Sequence, residues 1–468
     1  MNIVRTRFAP SPTGALHLGN VRTALYAALL ARAAGGFFLL RIEDTDTVRS
    51  RSDHETALMT DLRWLGLHWA EGPDLGGPHA PYRQSERAHH YAAFYDQLAS
   101  EGRAYPCFCT EGELARERAL QRAAGKPPRY SGVCAHLSRA EVEARNTTHP
   151  AASLRLRVPP ESTLQWTDLV RGPQSFSGDD LGDFVIRRSD GTPAFLFANA
   201  IDDALMGVTH VLRGADHLSN TPRQCLILRA LGLPVPHYGH LSLIIGADGA
   251  PLSKRAGALS LRELRAIGYL PEAVLNHLAR LGHAYGEAGL LDLDGLASGF
   301  DPNHLGVAPA RHDEATLRYW QKEALVHAEW TRLWDWLPTE VHSWVPDPER
   351  ESFVATVRPN LLLPEEGTQW ARVIYKEDAL VFTKEARDAI TAAGAAFYGA
   401  ALEILAKHPE DFRAFSNEVK KATVMRGGAL FHPLRAALTG TLAGPELAGL
   451  WRLLPQDRIR QRLQVHTE

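Results

Sequence analysis

Residues 7–46 constrain this chain more than any other stretch: RFAPSPTGALHLGNVRTALYAALLARAAGGFFLLRIEDTD. Phe8 leads into Pro10, Ser11, Pro12, Thr13 and Gly14, a run that neither continues a strand nor opens a long helix. From Leu16 the apolar spacing is helical, with Leu18, Val21, Leu25, Ala28 and Leu29 on one side, and Gly35-Gly36 ends the helix. Phe37 to Ile42 is an apolar run of the length of a buried parallel strand. Glu43, Asp44 and Asp46 follow at its carboxyl end, where open α/β sheets hold their ligands. The pattern predicts strand, loop, helix and strand in an open α/β sheet. A helix start suits phosphate because its N–H groups are unpaired and its dipole is positive. His17 in the first turn can donate to a phosphate oxygen, and Glu43 at the strand end can hold an ammonium group. Taken singly, each of these residues also suits a purely structural βαβ unit.

Three later stretches carry further chemistry. Cys107-Phe108-Cys109 is followed, after 24 residues, by Cys134-Ala135-His136. Two close thiolates with a distant Cys/His pair can complete a tetrahedral zinc site, and the same residues also suit metal-free thiols in an inserted module. The remaining cysteine, Cys225, sits in an apolar helical pattern and reads as core. VLRGADHLSNTPRQ offers Arg213 at the end of a buried strand, where a guanidinium can pair with a carboxylate or phosphate. Thr221-Pro222 then reads as the N-cap and first residue of a helix. DFVIRR and Ala194 to Ala200 are predicted strands of the resuming sheet. From about Glu314 the pattern is helical throughout, with Trp320, Trp330, Trp334 and Trp336 read as core. The 468 residues suffice for several domains, and a formal net charge of −3 makes any RNA contact a matter of local basic patches. The amino terminus lacks an apolar signal core and no apolar run approaches membrane length. Four cysteines argue against a disulfide framework, so a cytoplasmic chain without membrane association is expected.

PSPTGALHLGNVRTAL followed by LLRIEDTD resembles the amino-terminal signature of glutamyl-tRNA synthetases, with His17-Leu18-Gly19-Asn20 matching the HIGH motif of class I aminoacyl-tRNA synthetases. Pro251-Leu252-Ser253-Lys254-Arg255 resembles their second signature, with Pro251 where most members have lysine. The resemblance covers the whole chain and is strongest before residue 280. It implies a Rossmann-like catalytic core (1–104 and 183–245), an inserted α+β acceptor-binding module (105–182), a stem-contact segment (246–313) and an all-α anticodon-binding region (314–468). It implies that L-glutamate and ATP, with Mg²⁺, give glutamyl-adenylate, whose glutamyl group passes to tRNA(Glu).

By the same correspondence His17 and Lys254 act in catalysis. Arg7 and Arg213 pair with the two carboxylates of glutamate, Ser11 and Glu43 take its ammonium group, Asn199 assists at the side-chain carboxylate, and Ala9 and Phe195 complete the pocket. His17, Gly19, Asn20, Asp216, Ser253, Lys254 and Arg255 serve ATP. Zinc-containing members share the C-x-C…C-x-H spacing, which makes Cys107, Cys109, Cys134 and His136 the ligands of one structural Zn²⁺. Tyr130 is the alternative fourth ligand, since related tRNA-glutamylating proteins use a tyrosine there.

Phe195 stands where the family usually has a tyrosine, and Asn360 stands where one representative reads the last anticodon base with arginine. Charging of tRNA(Gln) is therefore open. A monomer is expected. Two competing readings are a tRNA-binding paralogue that no longer charges and a relative that glutamylates a tRNA base. The helical carboxyl half disfavours the second.

Overall fold

The computed structural model describes residues 3–46, 50–148, 151–252, 259–376 and 380–467. It divides into two compact units, 1–264 with 274–314, and 265–273 with 315–468.

The first unit is built on a four-stranded parallel sheet. Its order is Phe37–Leu40, Arg5–Phe8, His210–Gly214, His237–Leu241. Arg7 lies beside Leu39, and Arg213 lies directly across the ladder from His240. Phe38, Leu39 and Leu40 are buried, as expected of a strand covered on both faces. The helix Leu18–Ala33 crosses between the first two strands, and Gly35 ends it in a left-handed conformation at φ 60°. The proline loop is stitched to the far end of the sheet: Arg41 N–H donates to Phe8 O at 3.0 Å and Glu43 N–H to Pro10 O at 2.9 Å. The loop thus lies against the strand end that carries Glu43.

Two local readings change. Residues Phe195–Leu205 form a helix, where the apolar run Ala194 to Ala200 suggested a strand. Asn199, Asp202 and Asp203 on it are all buried and each is hydrogen-bonded, so the helix carries its polar side chains into the core with partners from other segments. The strand Phe184–Arg187 exists, but it does not rejoin the parallel sheet. It pairs antiparallel with Ser153–Leu156, which pairs with Ala104–Cys107. A separate hairpin, Thr163–Asp168 with Gly172–Ser177, docks on the edge strand: Leu169 N–H donates to Tyr238 O at 2.8 Å. At Gly239 a Cβ would meet Leu212 Cδ2 at 2.6 Å and Leu169 Cβ at 3.2 Å, so only glycine permits that docking.

The second unit is helical among its described residues, from Ala315 to Gln464. Trp320 and Trp334 are buried, whereas Trp330 and Trp336 are half-buried. Gln321 is buried and ties Leu270 N–H at 2.8 Å to the carbonyls of Gly268 and Leu362. Arg358 donates to Val326 O at 3.1 Å, and Asn360 is exposed. Among the described residues no single helix is long and apolar enough to cross a membrane; one bent pair, Lys384–Ala393 with Ala395–Leu405, passes on length and composition alone.

Candidate active site

A cleft of about 470 Å³ opens at the carboxyl ends of the parallel strands. Arg7, Ala9 and Ser11 line it from the first strand and the proline loop, and His17, Gly19 and Asn20 from the helix start. Glu43 lines it from the second strand's end, Phe195 and Asn199 from the buried helix, and Arg213 and Asp216 from the third strand and the turn after it. Eleven residues singled out on sequence therefore share one cavity. The N–H of Leu252 donates to the carbonyl of the cleft residue Ile244 at 2.9 Å. Ser253, Lys254 and Arg255 lie outside the described residues.

His17 occupies the N-cap of its helix, with extended backbone at φ −92° and ψ 161°, rather than the first turn. Its side chain caps nothing, and the first turn of the helix carries no acidic residue to compete with an anion. A Cβ at position 19 would lie 3.1 Å from the His17 ring, so Gly19 keeps room for the imidazole beside the exposed N–H groups.

Beneath the cleft runs a buried charge network. Asp203 accepts from Arg7 Nε at 3.1 Å and from Arg41 Nη1 at 2.7 Å, and Arg41 Nη2 reaches Glu43 at 3.2 Å. Glu43 also accepts from Asn199, whose own carbonyl accepts from Gln224 at 2.8 Å. Burial raises the Glu43 carboxyl above its ordinary range, against the pull of Arg41 and Arg7. Burial pushes on Asp203 too, but Arg7 and Arg41 outweigh it and hold that carboxyl low.

Arg213 differs. It is 6% exposed, and its hydrogen-bond partners are His240 Nε2 at 3.3 Å and Thr221 Oγ1 at 2.7 Å, both neutral. Among the described residues no carboxylate lies within ion-pair reach of it. Burial alone dominates its pKa, which is lowered. Arg7 and Arg41 contact buried carboxylates directly, whereas Arg213 contacts only neutral groups, so among the described residues its guanidinium is the one left open to an anion from outside.

Arg41, Asp203, His240 and Asp168 were not singled out on sequence. Their signal is a charged or imidazole side chain inside an apolar run, as in FFLLRI and HYGHLSLII. Thr221, read as an N-cap, is the first helical residue, and its hydroxyl serves Arg213 and His240 instead of the helix end.

In the inserted region the sulfurs of Cys107, Cys109 and Cys134 lie within 4.8 Å of one another, and all are free thiols. The Tyr130 hydroxyl is 3.5 Å from both Cys107 and Cys109 and accepts the Cys134 N–H at 2.9 Å. Arg155 stacks 3.9 Å over the Tyr130 ring, while His136 is exposed. Burial pushes the Cys109 thiol up. Cys107 goes down, since hydrogen bonds from Tyr130 and Arg155 overcome its burial. Three sulfurs and a phenol oxygen converging on one point are a donor set suited to zinc.

Residues 3–319 match the family described as tRNA synthetases class I (E and Q), catalytic domain, and residues 332–466 match an anticodon binding domain. The chain is 55% identical to glutamate–tRNA ligase 2 of Nitrosococcus oceani, covering 98% of each protein. It is 56% identical to glutamate–tRNA ligase 2 of Alkalilimnicola ehrlichii, covering 99% of this chain and 98% of the relative. The crystal structure of a glutamate tRNA ligase from Elizabethkingia meningosepticum in complex with its amino acid superposes with a TM-score of 0.90 at 29% identity, over 100% of this chain and 99% of that one. With full-length relatives above 50% identity and a catalytic-domain match over most of its length, the chain belongs to the class I tRNA synthetases of the glutamate and glutamine kind.

Proposed function

We propose that this protein ligates L-glutamate to tRNA(Glu) in two steps. An α-carboxylate oxygen of glutamate attacks the α-phosphorus of ATP, the bond to the bridging oxygen breaks, and diphosphate leaves with its Mg²⁺. A hydroxyl of the terminal adenosine of tRNA then attacks the acyl carbon of the adenylate, and AMP leaves. The substrate supplies its own nucleophile, so the protein's task is orientation and stabilisation of charge at an in-line phosphoryl centre.

The observation that carries this reading is the buried Arg213 guanidinium without a carboxylate partner, in one cleft with Arg7, Glu43 and His17. Arg7 and Arg213 answer the two carboxylates of glutamate, and Glu43 with Ser11 answers its ammonium group. Asn199, already bound to Glu43, sits beside the side-chain carboxylate, with Ala9 and Phe195 as walls. Glutamine in this cleft would leave Arg213 buried and unmatched, a loss of the kind that supports large discrimination. His17 and the N–H groups near Gly19 and Asn20 meet the phosphates, Asp216 lies near the nucleotide, and Ser253, Lys254 and Arg255 are assigned to ATP by their motif.

Residues 105–182 are read as the acceptor-binding module and 314–468 as the anticodon-binding region. A structural zinc would be held by the thiolates of Cys107, Cys109 and Cys134. Tyr130 is favoured over His136 as fourth ligand because its oxygen already faces the thiols. The ion would supply a cross-link to a loop-rich segment, with no part in the chemistry.

Charging assays with purified glutamate and glutamine tRNAs test the proposal. Glutamylation of tRNA(Glu) is expected, and the yield on tRNA(Gln) decides how far Asn360 relaxes anticodon choice. Diphosphate exchange without any charging of either tRNA would overturn the second step, and neither activity would overturn the whole reading.

A further inference from the structure

The buried face of Arg213 is held by a chain of groups that begins in a different part of the fold. Asp168 ends the first strand of the docked hairpin. One of its carboxylate oxygens accepts the backbone N–H groups of Val170 and Arg171, each at 3.0 Å, and of His240 at 3.1 Å. The other lies 2.5 Å from His240 Nδ1. Asp168 and His240 are both buried, and the side chain of each is fully shielded from solvent. A carboxylate can only accept, so Nδ1 carries the proton and Nε2 keeps its lone pair. That lone pair faces Arg213 Nε at 3.3 Å and the Thr221 hydroxyl at 2.9 Å, while Thr221 accepts from Arg213 Nη2. The Tyr238 ring, 5.1 Å from the guanidinium carbon, backs the same group.

We propose that Asp168 and His240 are positioning residues for substrate selection, holding the Arg213 guanidinium in the orientation that receives a substrate carboxylate. The arrangement orients the cation without neutralising it. Asp168 stands behind an imidazole, so its charge fixes a tautomer instead of forming an ion pair that would compete with substrate. Two of the guanidinium's five N–H groups are spent on this anchor, and those remaining have no partner among the described residues. Burial holds His240 below the usual histidine range, opposed by Asp168 and helped by Arg213, which keeps the ring neutral and its lone pair available.

The inference rests on the reading of Arg213 as a carboxylate receptor, and its test separates the two. Asp168→Asn is nearly isosteric but can donate to Nδ1. That moves the imidazole proton to Nε2 and sets two N–H groups against each other at Arg213, as a wrong tautomer does in other carboxylate–histidine pairs. KM for glutamate and for ATP is read by diphosphate exchange in the presence of tRNA, with glutamate Kd by calorimetry. Asp168→Asn should raise KM and Kd for glutamate about tenfold or more, leaving KM for ATP and kcat at saturating glutamate near wild type. His240→Gln, whose amide oxygen can still accept from Arg213, should bind glutamate more tightly than His240→Phe. Arg213→Lys should lose more glutamate affinity than any of them.

Unchanged glutamate KM in both Asp168→Asn and His240→Phe, with a large rise in Arg213→Lys, overturns the positioning role. Unchanged KM in Arg213→Lys overturns the receptor reading beneath it. Should Asp168→Asn fail to fold, the His240 pair decides: equal affinity in His240→Gln and His240→Phe overturns the proposal, and so does a parallel rise in KM for ATP.

Discussion

At the scale of single residues, the cleft works by leaving particular groups unsatisfied. Arg7 and Arg41 share Asp203, and Glu43 shares Arg41 and Asn199, so these side chains are tied to one another before substrate arrives. His17 is held otherwise, at a helix start where Gly19 leaves its ring room and no acidic neighbour in the first turn opposes an incoming phosphate. On the proposed role of His17 as a donor to the developing charge, His17→Ala should slow adenylate formation by about 10²–10³. Diphosphate exchange at saturating ATP and glutamate measures this, and near-wild-type turnover would remove His17 from the chemistry.

At the scale of elements, legibility follows how local the physics is. The stretch from Arg7 to Asp46 is readable because each part is set by its own residues: prolines stop the strand, a left-handed glycine stops the helix, and a short apolar run fills a strand covered on both faces. The helix Phe195–Leu205 reads as a strand in the sequence because it is buried almost all round, and a run such as FLFANAI then has no polar face from which to take a period. What decides it is tertiary: Asp202 and Asp203 are anchored by Arg87, Tyr91, Arg7 and Arg41 from distant segments. The relay from Asp168 to Arg213 is likewise invisible in one dimension, since its members stand 72 and 27 residues apart. The thiols were legible by spacing. Tyr130 entered only through the family resemblance, since spacing does not show that a phenol oxygen faces the thiols.

This cysteine module has a small core, Tyr105, Cys107, Cys134 and Ala135, so it depends on a cross-link more than the sheet does. Chelation of the metal, or Cys109→Ser, should speed amide exchange across residues 104–137 and weaken tRNA acceptor-arm binding, with the parallel sheet still protected. Hydrogen exchange with elemental analysis checks this, and purified protein without zinc would remove the metal.

At the scale of the whole molecule, buried histidines set the acid limit of the first unit. His277 is 1% exposed and hydrogen-bonded to His312 at 2.9 Å. Burial, reinforced by the His312 ring and opposed by Asp313, holds it down to about 3. Its folded pKa lies below the ordinary histidine value of about 6.5, so the unfolded chain takes up a proton first. The stability this neutral ring contributes is complete above that value and is lost as pH falls from there towards about 3. One such group weakens the fold by up to about 1.4 kcal/mol per pH unit over that range. Asp203 adds a second loss lower down, since its depressed carboxyl stabilises the fold above the unfolded aspartate value of about 3.9 and fails as pH drops further. Melting temperatures should hold between pH 7.5 and about 6.5 and fall from there to about 4.5, and His277→Asn should flatten that falling limb. Parallel curves for the two proteins would exclude the histidine as the cause.

The anchored but unneutralised Arg213 has a practical corollary for anyone handling the protein. A buried guanidinium with no carboxylate in contact also attracts small anions, so a short dicarboxylate such as malonate should compete with glutamate and raise its apparent KM. Apparent affinity for the amino acid is then a property of the counter-ion as much as of the protein.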